Sequence, residues 1–415
     1  MSFIDRVILS SLLLIAAACS SDPLDGPETL PPAPAGVPQG PVELSMLISL
    51  GDNEGGMAYG DIPAPRATPA DGEYDPGSGY ENFIDISARD FALYIFTPGD
   101  KPTLVAQASV SSLEPAGGGS YESSKKYTCR FRLEDPAPVF DAATGLASFR
   151  LVMLANWQAW PLASGSWADY PMLAPGASLD DLYRAAYSTR SCPAGGTGPE
   201  ITRQTRIPLF GVQTYTGVDL AADGLTNLKQ TLHLLRAFAK IEVCSSPTTS
   251  YPIRSVSLTR SNTLFKAIPS RVYDREHYIT GSHPTDYVDH VSIPDDISVN
   301  EDIPFFHTQN PHFTSKPLVD TDGKGAWIIY VPEYDNISSS AVKTQIAVEY
   351  DGGRKFYVEF KNYGQLKNIP VNAPFDLRRN NWYIFSLECG KNDVTVEIIL
   401  YTSIVLDPSF GLDVP

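Results

Sequence analysis

The sequence predicts an all-β protein built as a β-sandwich. Aromatic residues are plentiful, with 21 Tyr and 18 Phe, and both Gly and Pro recur throughout the chain. Aromatic and β-branched residues favour strands, whereas frequent Gly and Pro mark turns and interrupt long helices. Many short apolar runs separated by such turns are typical of sandwiches.

The predicted strands are short apolar runs bounded by turn residues. After a first run at 42–50 they lie at 91–96, 149–156, 207–212, 239–244, 253–259, 326–331, 345–350, 355–360, 382–387 and 394–406. Residues 351–354 read Asp-Gly-Gly-Arg, which predicts a tight hairpin turn between two of these strands. The helix candidate is short, at 179–187, with acidic residues early and an arginine late.

The start of the chain predicts export. Residues 1–18 combine a basic start at Arg6 with an apolar run too short to span a membrane, as in a signal peptide. Three alanines directly before Cys19 are similar to a bacterial lipobox, which makes Cys19 the predicted site of acylation with palmitate. An ordinary secretory signal with a chance cysteine is the alternative. If Cys19 is acylated, residues 19–41 are the lipidated Cys and a Pro-rich spacer between the lipid and the folded part of the chain.

Composition and motifs point away from catalysis. The net charge of −17 argues against a nucleic-acid partner. The sequence has no G-x-S-x-G element, phosphate-binding loop or nucleotide-binding glycine pattern, so we expect neither an enzyme nor a bound cofactor. The clustered histidines lack the spacing of metal ligands, so we expect a solvated loop and no metal site: His277, His283, His290, His307 and His312. The spacing of Cys129, Cys192, Cys244 and Cys389 fits no zinc site and leaves disulfide pairing open.

Two strands stand apart because they lie near the ends of the chain. The first alternates strictly, with its apolar face formed by Val42, Leu44, Met46, Ile48 and Leu50. The second carries one apolar parity well past the length of a typical strand, in Val394, Val396, Ile398, Leu400, Ile404, Leu406, Phe410, Leu412 and Val414. If part of it serves the chain's own fold, that part should be Val394 to about Tyr401. The remainder would need a groove elsewhere.

The order of short motifs resembles the Bacteroidales fimbrillins, the lipoprotein precursors of type V pilus subunits. After the lipobox, the spacer and the first strand come Arg66-Ala67-Thr68, DGEYDPGSGYENFIDI and FALYIF. They are followed by IPLFG, LLRAFAKIEV, YVPEY, NNWYIF and a last strand ending in PSFG. The resemblance runs from Cys19 to the end of the sequence.

This resemblance implies two consecutive transthyretin-like β-sandwich domains, which we place at 42–230 and 231–415. It implies that an arginine-specific surface protease cuts between Arg66 and Ala67, so that 42–66 is removed on maturation. The first strand would be discarded, and the donor strand at about 394–415 of another copy or a related subunit would fill its groove. The function implied is a structural subunit, expected to be the stalk, of a fimbrium that supports adhesion or biofilm formation. The chain would be held by its lipid in the outer membrane before cleavage and lie in the cell-surface fimbrium afterwards.

Plainer interpretations stand beside these. Arg66 can be an ordinary loop residue, and Arg89, Arg203 and Arg206 are rival cleavage sites. Trp157, Trp160 and Trp167 can form a sugar-stacking platform, although we favour a role in capping the first sandwich or lining an interface. The alternative function is therefore a monomeric surface lipoprotein with tandem sandwiches that binds glycans. Stalk, tip and anchor roles, and the adhesion target, are not distinguished by sequence.

Overall fold

Strands make up nearly all of the regular structure. The structure is a computed structural model that describes residues 40–50, 58–59, 84, 90–99, 101–116, 126–158, 160, 173–184, 186–188, 206–220, 224–246, 249–262, 264–266, 298–299, 303–308, 326–337, 342–350, 353–366, 370–391 and 393–402. Among these residues there is one α-helix, α1 at Leu179–Arg184, within the segment predicted to be helical. The all-β prediction is confirmed.

The strands, in chain order, begin with β1 (Val42–Ser49), β2 (Ala58–Tyr59), β3 (Phe91–Phe96), β4 (Leu104–Gln107), β5 (Ser109–Pro115), β6 (Lys126–Leu133), β7 (Phe140–Asp141), β8 (Leu146–Ala155) and β9 (Ala186–Ser188). They continue with β10 (Leu209–Val218), β11 (Leu225–Asn227), β12 (Leu232–His233), β13 (Leu235–Arg236), β14 (Ala239–Ser245), β15 (Ile253–Leu258), β16 (Ser261–Asn262) and β17 (Leu264–Lys266). The last are β18 (Ser298–Val299), β19 (Ile303–Pro304), β20 (Phe306–Thr308), β21 (Ala326–Val331), β22 (Gln345–Tyr350), β23 (Arg354–Glu359), β24 (Asn381–Cys389) and β25 (Val394–Thr402).

The first sandwich consists of two sheets that enclose a common apolar core. One sheet has the order β11-β1-β6-β5 with β12 also paired to β1, and the other has the order β13-β10-β8-β3-β4 with β7 paired to β8. In β6 the residues Tyr127, Cys129 and Phe131 are buried, whereas Arg130 and Arg132 on the opposite parity are exposed. Period-two alternation of this kind gives a strand one buried face and one wet face.

The second sandwich repeats this arrangement with two further sheets. Their orders are β2-β25-β24-β14-β21-β20 and β19-β15-β22-β23, and Ile241, Ile329 and Phe385 lie fully buried in the core. The hairpin predicted at 351–354 is confirmed, because Tyr350 pairs with Arg354 across it. Gly353 has a φ of 75° there, a left-handed conformation that glycine adopts without strain.

A third apolar cluster contains residues from both sandwiches. Trp157 and Trp160 from the first half pack with Phe238 and Phe265, and Ile328 of β21 belongs to the same cluster. Strands β12 and β13, which we placed in the second domain, pair instead with β1 and β10 of the first sandwich. The predicted division into two domains at residue 230 remains a prediction.

Buried polar contacts accompany this shared cluster. Arg379 Nη2 lies 2.8 Å from Glu333 Oε2, and its guanidinium lies 5.4 Å from the ring centre of Phe210 in β10. The backbone N–H of Asn380 donates to the carbonyl of Phe238 at 2.8 Å. Loss of either partner of a buried ion pair leaves an uncompensated charge, so such a pair holds its surroundings in place.

Asp376 makes the stability of the second sandwich depend on pH. Its side chain is buried, and Oδ1 accepts hydrogen bonds from the backbone N–H groups of Asn336 at 2.8 Å and Ile337 at 3.2 Å. Burial raises the pKa of Asp376 to about 7, against the lowering effects of the Asn336 N–H and the Arg378 charge. The folded state therefore holds a proton that the unfolded state releases near pH 4, so stability falls as pH rises from about 4 to about 7.

We expect Asp376→Asn to stabilise the protein at pH 8 relative to the unsubstituted chain, with a smaller difference at pH 5. The amide keeps an oxygen for the two N–H donors but cannot ionise. Urea unfolding at both pH values measures the effect. Asp141→Asn is the control, because hydrogen bonds from Ala143 and Thr144 lower the pKa of that exposed carboxyl and its neutralisation should give no gain at pH 8. Equal curves for Asp376→Asn and the unsubstituted chain at pH 8 would contradict this account.

Candidate functional site

Strand β1 fills the middle of its sheet. It runs antiparallel to β6 over its whole length, from Val42 opposite Leu133 to Ser49 opposite Lys126. Its other edge pairs in parallel with β11 and β12, where the N–H groups of Leu228 and Leu234 donate to the carbonyls of Ser45 and Ser49, each at 2.8 Å. Removal of β1 would leave unpaired backbone groups on both sides of a central slot.

One parity of β1 supplies the side chains that fill this slot. The residues that we predicted as the apolar face of the discarded strand all lie in the core and are at most 2% exposed: Val42, Leu44, Met46, Ile48 and Leu50. On the opposite parity, Leu47 is 36% exposed. Burial of five such side chains contributes about 8–15 kcal/mol as an upper estimate, which is comparable to the whole stability of a domain.

Around Met46 the slot is lined by one residue from each of the two sheets. Cys129 of β6 is its register partner, and the Tyr215 hydroxyl lies 3.9 Å from the Met46 sulfur while donating to the carbonyl of Gln230 at 3.0 Å. Burial raises the pKa of the Cys129 thiol to about 12 and also raises the pKa of Tyr215. The thiol is therefore neutral and shielded while β1 is in place, which makes it a reporter of whether the slot is occupied.

The described part of the predicted donor strand belongs to this chain's own second sandwich. β25 pairs with β24 along its length, from Asn381 opposite Thr402 to Cys389 opposite Val394. Val394 is half-buried against the core, while Val396, Ile398 and Leu400 are at most 7% exposed within it. These four donor candidates already have a place to pack. The remaining ones, Ile404, Leu406, Phe410 and Leu412, lie outside the described residues.

Arg206, one of the rival cleavage sites, is buried. Arg206 is 7% exposed, and its Nη2 lies 2.7 Å from the buried carboxylate of Asp90. Its backbone carbonyl accepts a hydrogen bond from Trp160 Nε1 at 2.9 Å. A protease that recognises arginine has no access to a side chain held in this way. Arg66 and Ala67 of the predicted cut, and the rivals Arg89 and Arg203, lie outside the described residues.

Two of the three tryptophans considered for sugar stacking are fully buried. Trp157 and Trp160 are 0% exposed, and their indole N–H groups donate to the carbonyls of Leu209 and Arg206, each at 2.9 Å. They are core residues of the cluster shared by the sandwiches. Trp167 lies outside the described residues, as do Cys19 and Cys192.

The described residues bring together no group of three or more His, Cys, Asp and Glu side chains that could hold a metal ion. Of the clustered histidines, His307 lies in β20, where the structure describes its backbone and not its side chain. The other four lie outside the described residues. Within the same part of the chain, no helix has the length and apolar character needed to cross a membrane. Cys129 and Cys389 are buried thiols, and Cys244 Sγ lies 3.6 Å from the carbonyl of Phe385.

Sequence reasoning missed β6, the strand that forms one side of the slot. β6 reads KYTCRFRL, and its alternation of aromatic or apolar residues with charged ones is a strand signal that was present in the sequence. The short strands β2, β11 and β12 carry no comparable signal, because two or three residues do not define a period.

Comparison with solved structures finds proteins with which most of this chain aligns. The tip fimbrial protein Mfa3 of Porphyromonas gingivalis, with a C-terminal truncation, is 9% identical, with a TM-score of 0.49, covering 87% of this chain and 99% of that one. A fimbrial assembly protein of Parabacteroides distasonis is 11% identical, with a TM-score of 0.40, covering 86% of this chain and 95% of that one. The structures it resembles include fimbrial proteins. No family model and no curated protein matches the chain.

The sequence motifs led us to predict roles for three places in this chain: the first strand, the arginine link and the last strand. The first is described as β1 and the last in part as β25. The link that contains Arg66 lies outside the described residues.

Proposed function

We propose that this chain is a structural subunit of a fimbrium, assembled by strand exchange, and that it has no enzymatic activity. The observation that carries the proposal is the position of β1 at the centre of a sheet, although it is the N-terminal strand of the described chain. A terminal strand at a sheet edge can be lost with little effect. A terminal strand that completes the middle of a sheet is a plug, and its loss creates a slot shaped for another strand.

The sequence between β1 and β3 supports removal of that plug. Arg66 stands between Pro63, Pro65 and Pro69. Proline lacks a backbone N–H, which disfavours helix and sheet and leaves the peptide bond accessible to a protease. After the cut, β1 is held only by non-covalent contacts.

The C-terminal sequence supplies a strand of the right character for the vacant slot. Ile404, Leu406, Phe410 and Leu412 share one parity, as the buried residues of β1 do. Because β25 already occupies Val394–Thr402 within the second sandwich, the donor tail of this proposal is 403–415. A subunit that accepts a strand at one end and donates one at the other lies inside a fibre, which favours a stalk role.

The proposal also assigns a route to the cell surface. Residues 1–18 would direct export, Cys19 would carry the lipid in the outer membrane, and the cut after Arg66 would release the mature subunit into the fimbrium. The partners are further copies of this chain or related subunits, together with an arginine-specific surface protease. Adhesion or biofilm formation is the proposed outcome of assembly.

Treatment of the purified chain with an arginine-specific protease tests the proposal. We expect one main product that begins at Ala67, followed by a ladder of polymers on a gel run without boiling, and neither from Arg66→Ala. No product should begin at Ile207, because Arg206 is paired with Asp90 and buried. A resistant chain, a main product that begins elsewhere, or a cut chain that stays monomeric would contradict the proposal.

A further inference from the structure

Strand β2 lies on the edge of the strand that leads into the proposed donor tail. In its sheet, β25 pairs with β24 on one side, and β2 covers the other side at the C-terminal end of β25. The pairs are antiparallel, with Ala58 opposite Tyr401 and Tyr59 opposite Leu400. β25 ends one residue later at Thr402, and the tail begins at the next residue.

The same segment of chain therefore touches both sandwiches. β1 ends at Ser49 and β2 begins at Ala58, and both precede Arg66, so one cut after Arg66 would release both strands in a single fragment. β1 belongs to a sheet of the first sandwich, whereas β2 belongs to a sheet of the second. One removable segment occupies the acceptor slot and also the base of the donor tail.

Resting on the function proposed above, we infer that β2 is a clamp that withholds the donor tail until the cut is made. Backbone groups that already pair with β2 are not available to another strand, and this pairing fixes the course of the chain at Leu400 and Tyr401. Two residue pairs are a weak hold without a covalent anchor, so the clamp is lost together with β1. Acceptor and donor become available in one event, and an uncut subunit neither accepts nor donates.

The clamp is tested by an uncut subunit, which keeps β1 in its slot and has only its tail to offer. The unsubstituted chain is cut, the protease is inhibited, and fluorescently labelled Arg66→Ala chain is added. We expect little label in the polymers. Adding Ala58→Pro and Tyr59→Pro should raise the incorporation about fivefold. Of two neighbouring residues in an antiparallel strand, one directs its N–H at the partner strand, and proline at both positions removes that donor; loss of one net hydrogen bond corresponds to roughly a fivefold change in an equilibrium. Asp52→Pro, in the link between β1 and β2, is the matched control and should leave incorporation low.

A reversible lock tests the same clamp without a change of backbone. Directly opposed residues of antiparallel strands are about 4.5–5.5 Å apart at Cα, which is within the span of a disulfide. Ala58→Cys with Tyr401→Cys in the Arg66→Ala chain should give no incorporation when oxidised and should regain the low level of the Arg66→Ala chain when reduced.

The outcomes separate the two proposals. If the double-proline chain is incorporated no better than Arg66→Ala, or the oxidised lock donates as well as the reduced one, the clamp is wrong while strand exchange stands. If the cut, unsubstituted chain forms no polymer, strand exchange itself fails and the clamp falls with it.

Discussion

A chain that ends at Thr402 is expected to fold as stably as the full chain, to be cut after Arg66, and to form no polymer. Thr402 is the last residue of β25, so this truncation keeps every described strand of the second sandwich. What it removes is the donor tail, 403–415. Thermal unfolding of the uncut protein and polymer ladders after cleavage measure the two halves of the expectation.

A chain that ends at Gly390 is the matched control. It lacks β25, whose Val396, Ile398 and Leu400 are buried in the core, and loses about 5–9 kcal/mol of apolar burial. Because that is most of the stability of an ordinary domain, we expect the second sandwich to unfold. Normal polymers from the chain that ends at Thr402 would show that the donor lies elsewhere.

The Cys129 thiol reports the state of the slot in the same experiment. In the uncut chain it is 0% exposed on the strand beside β1, and a thiol reagent should not modify it. After cleavage, the chain that ends at Thr402 has no tail to refill the slot, so Cys129 should become reactive once β1 leaves. In polymers of the full chain it should be protected again. Mass spectrometry of the modified peptide distinguishes Cys129 from the other cysteines.

Leu44→Asp is expected to destabilise the uncut chain by about 3–5 kcal/mol and yet to leave the finished polymer unchanged. Leu44 is 0% exposed in the core of the first sandwich, and a carboxylate there loses both the apolar contacts and its hydration. The polymer is unaffected because β1 is discarded before assembly is complete. Urea unfolding of the precursor and the temperature at which polymers dissociate in detergent give the two readings.

Two further substitutions serve as the negative and the positive control for this prediction. Leu47→Asp changes an exposed side chain of β1 and should be nearly silent in both measurements. Phe131→Ala removes the register partner of Leu44 on β6, which the mature subunit keeps, and should weaken precursor and polymer alike. If Leu44→Asp weakened the polymer as much as Phe131→Ala did, β1 would have to be a permanent strand.

Much of the fold follows from local patterns in the sequence. The strict alternation from Val42 to Leu50 predicted the buried apolar side of β1, although Ser45 and Ser49 on the other parity are buried as well, and the Asp-Gly-Gly-Arg turn predicted the β22–β23 hairpin. These features are local: period and turn chemistry act within a few residues. The position of β1 between β6 and β11 is not local, because it depends on pairings with residues about 80 and 180 positions away.

The same distinction explains what sequence reasoning missed at the candidate site. Arg206 looked like a second accessible arginine, since its pairing with Asp90 joins residues 116 positions apart. For Trp157 and Trp160 the expectation that they cap the first sandwich or line an interface was the better one, because both are fully buried in the cluster shared by the two sandwiches. The clamp strand β2 is two residues long, and its pairing with β25 spans most of the chain.

The register of β1 has a mechanical consequence for a fibre. All eight of its residues pair with β6, and the strands run along each other rather than end to end. A donor strand in the same slot, pulled along its own axis, would load its hydrogen bonds to β6 together instead of opening them one after another. Resistance to tension is then governed by the rate at which the whole ladder slips, as in other forced unfolding. The donor strand that joins two subunits would therefore resist tension to the same degree as a strand within one subunit.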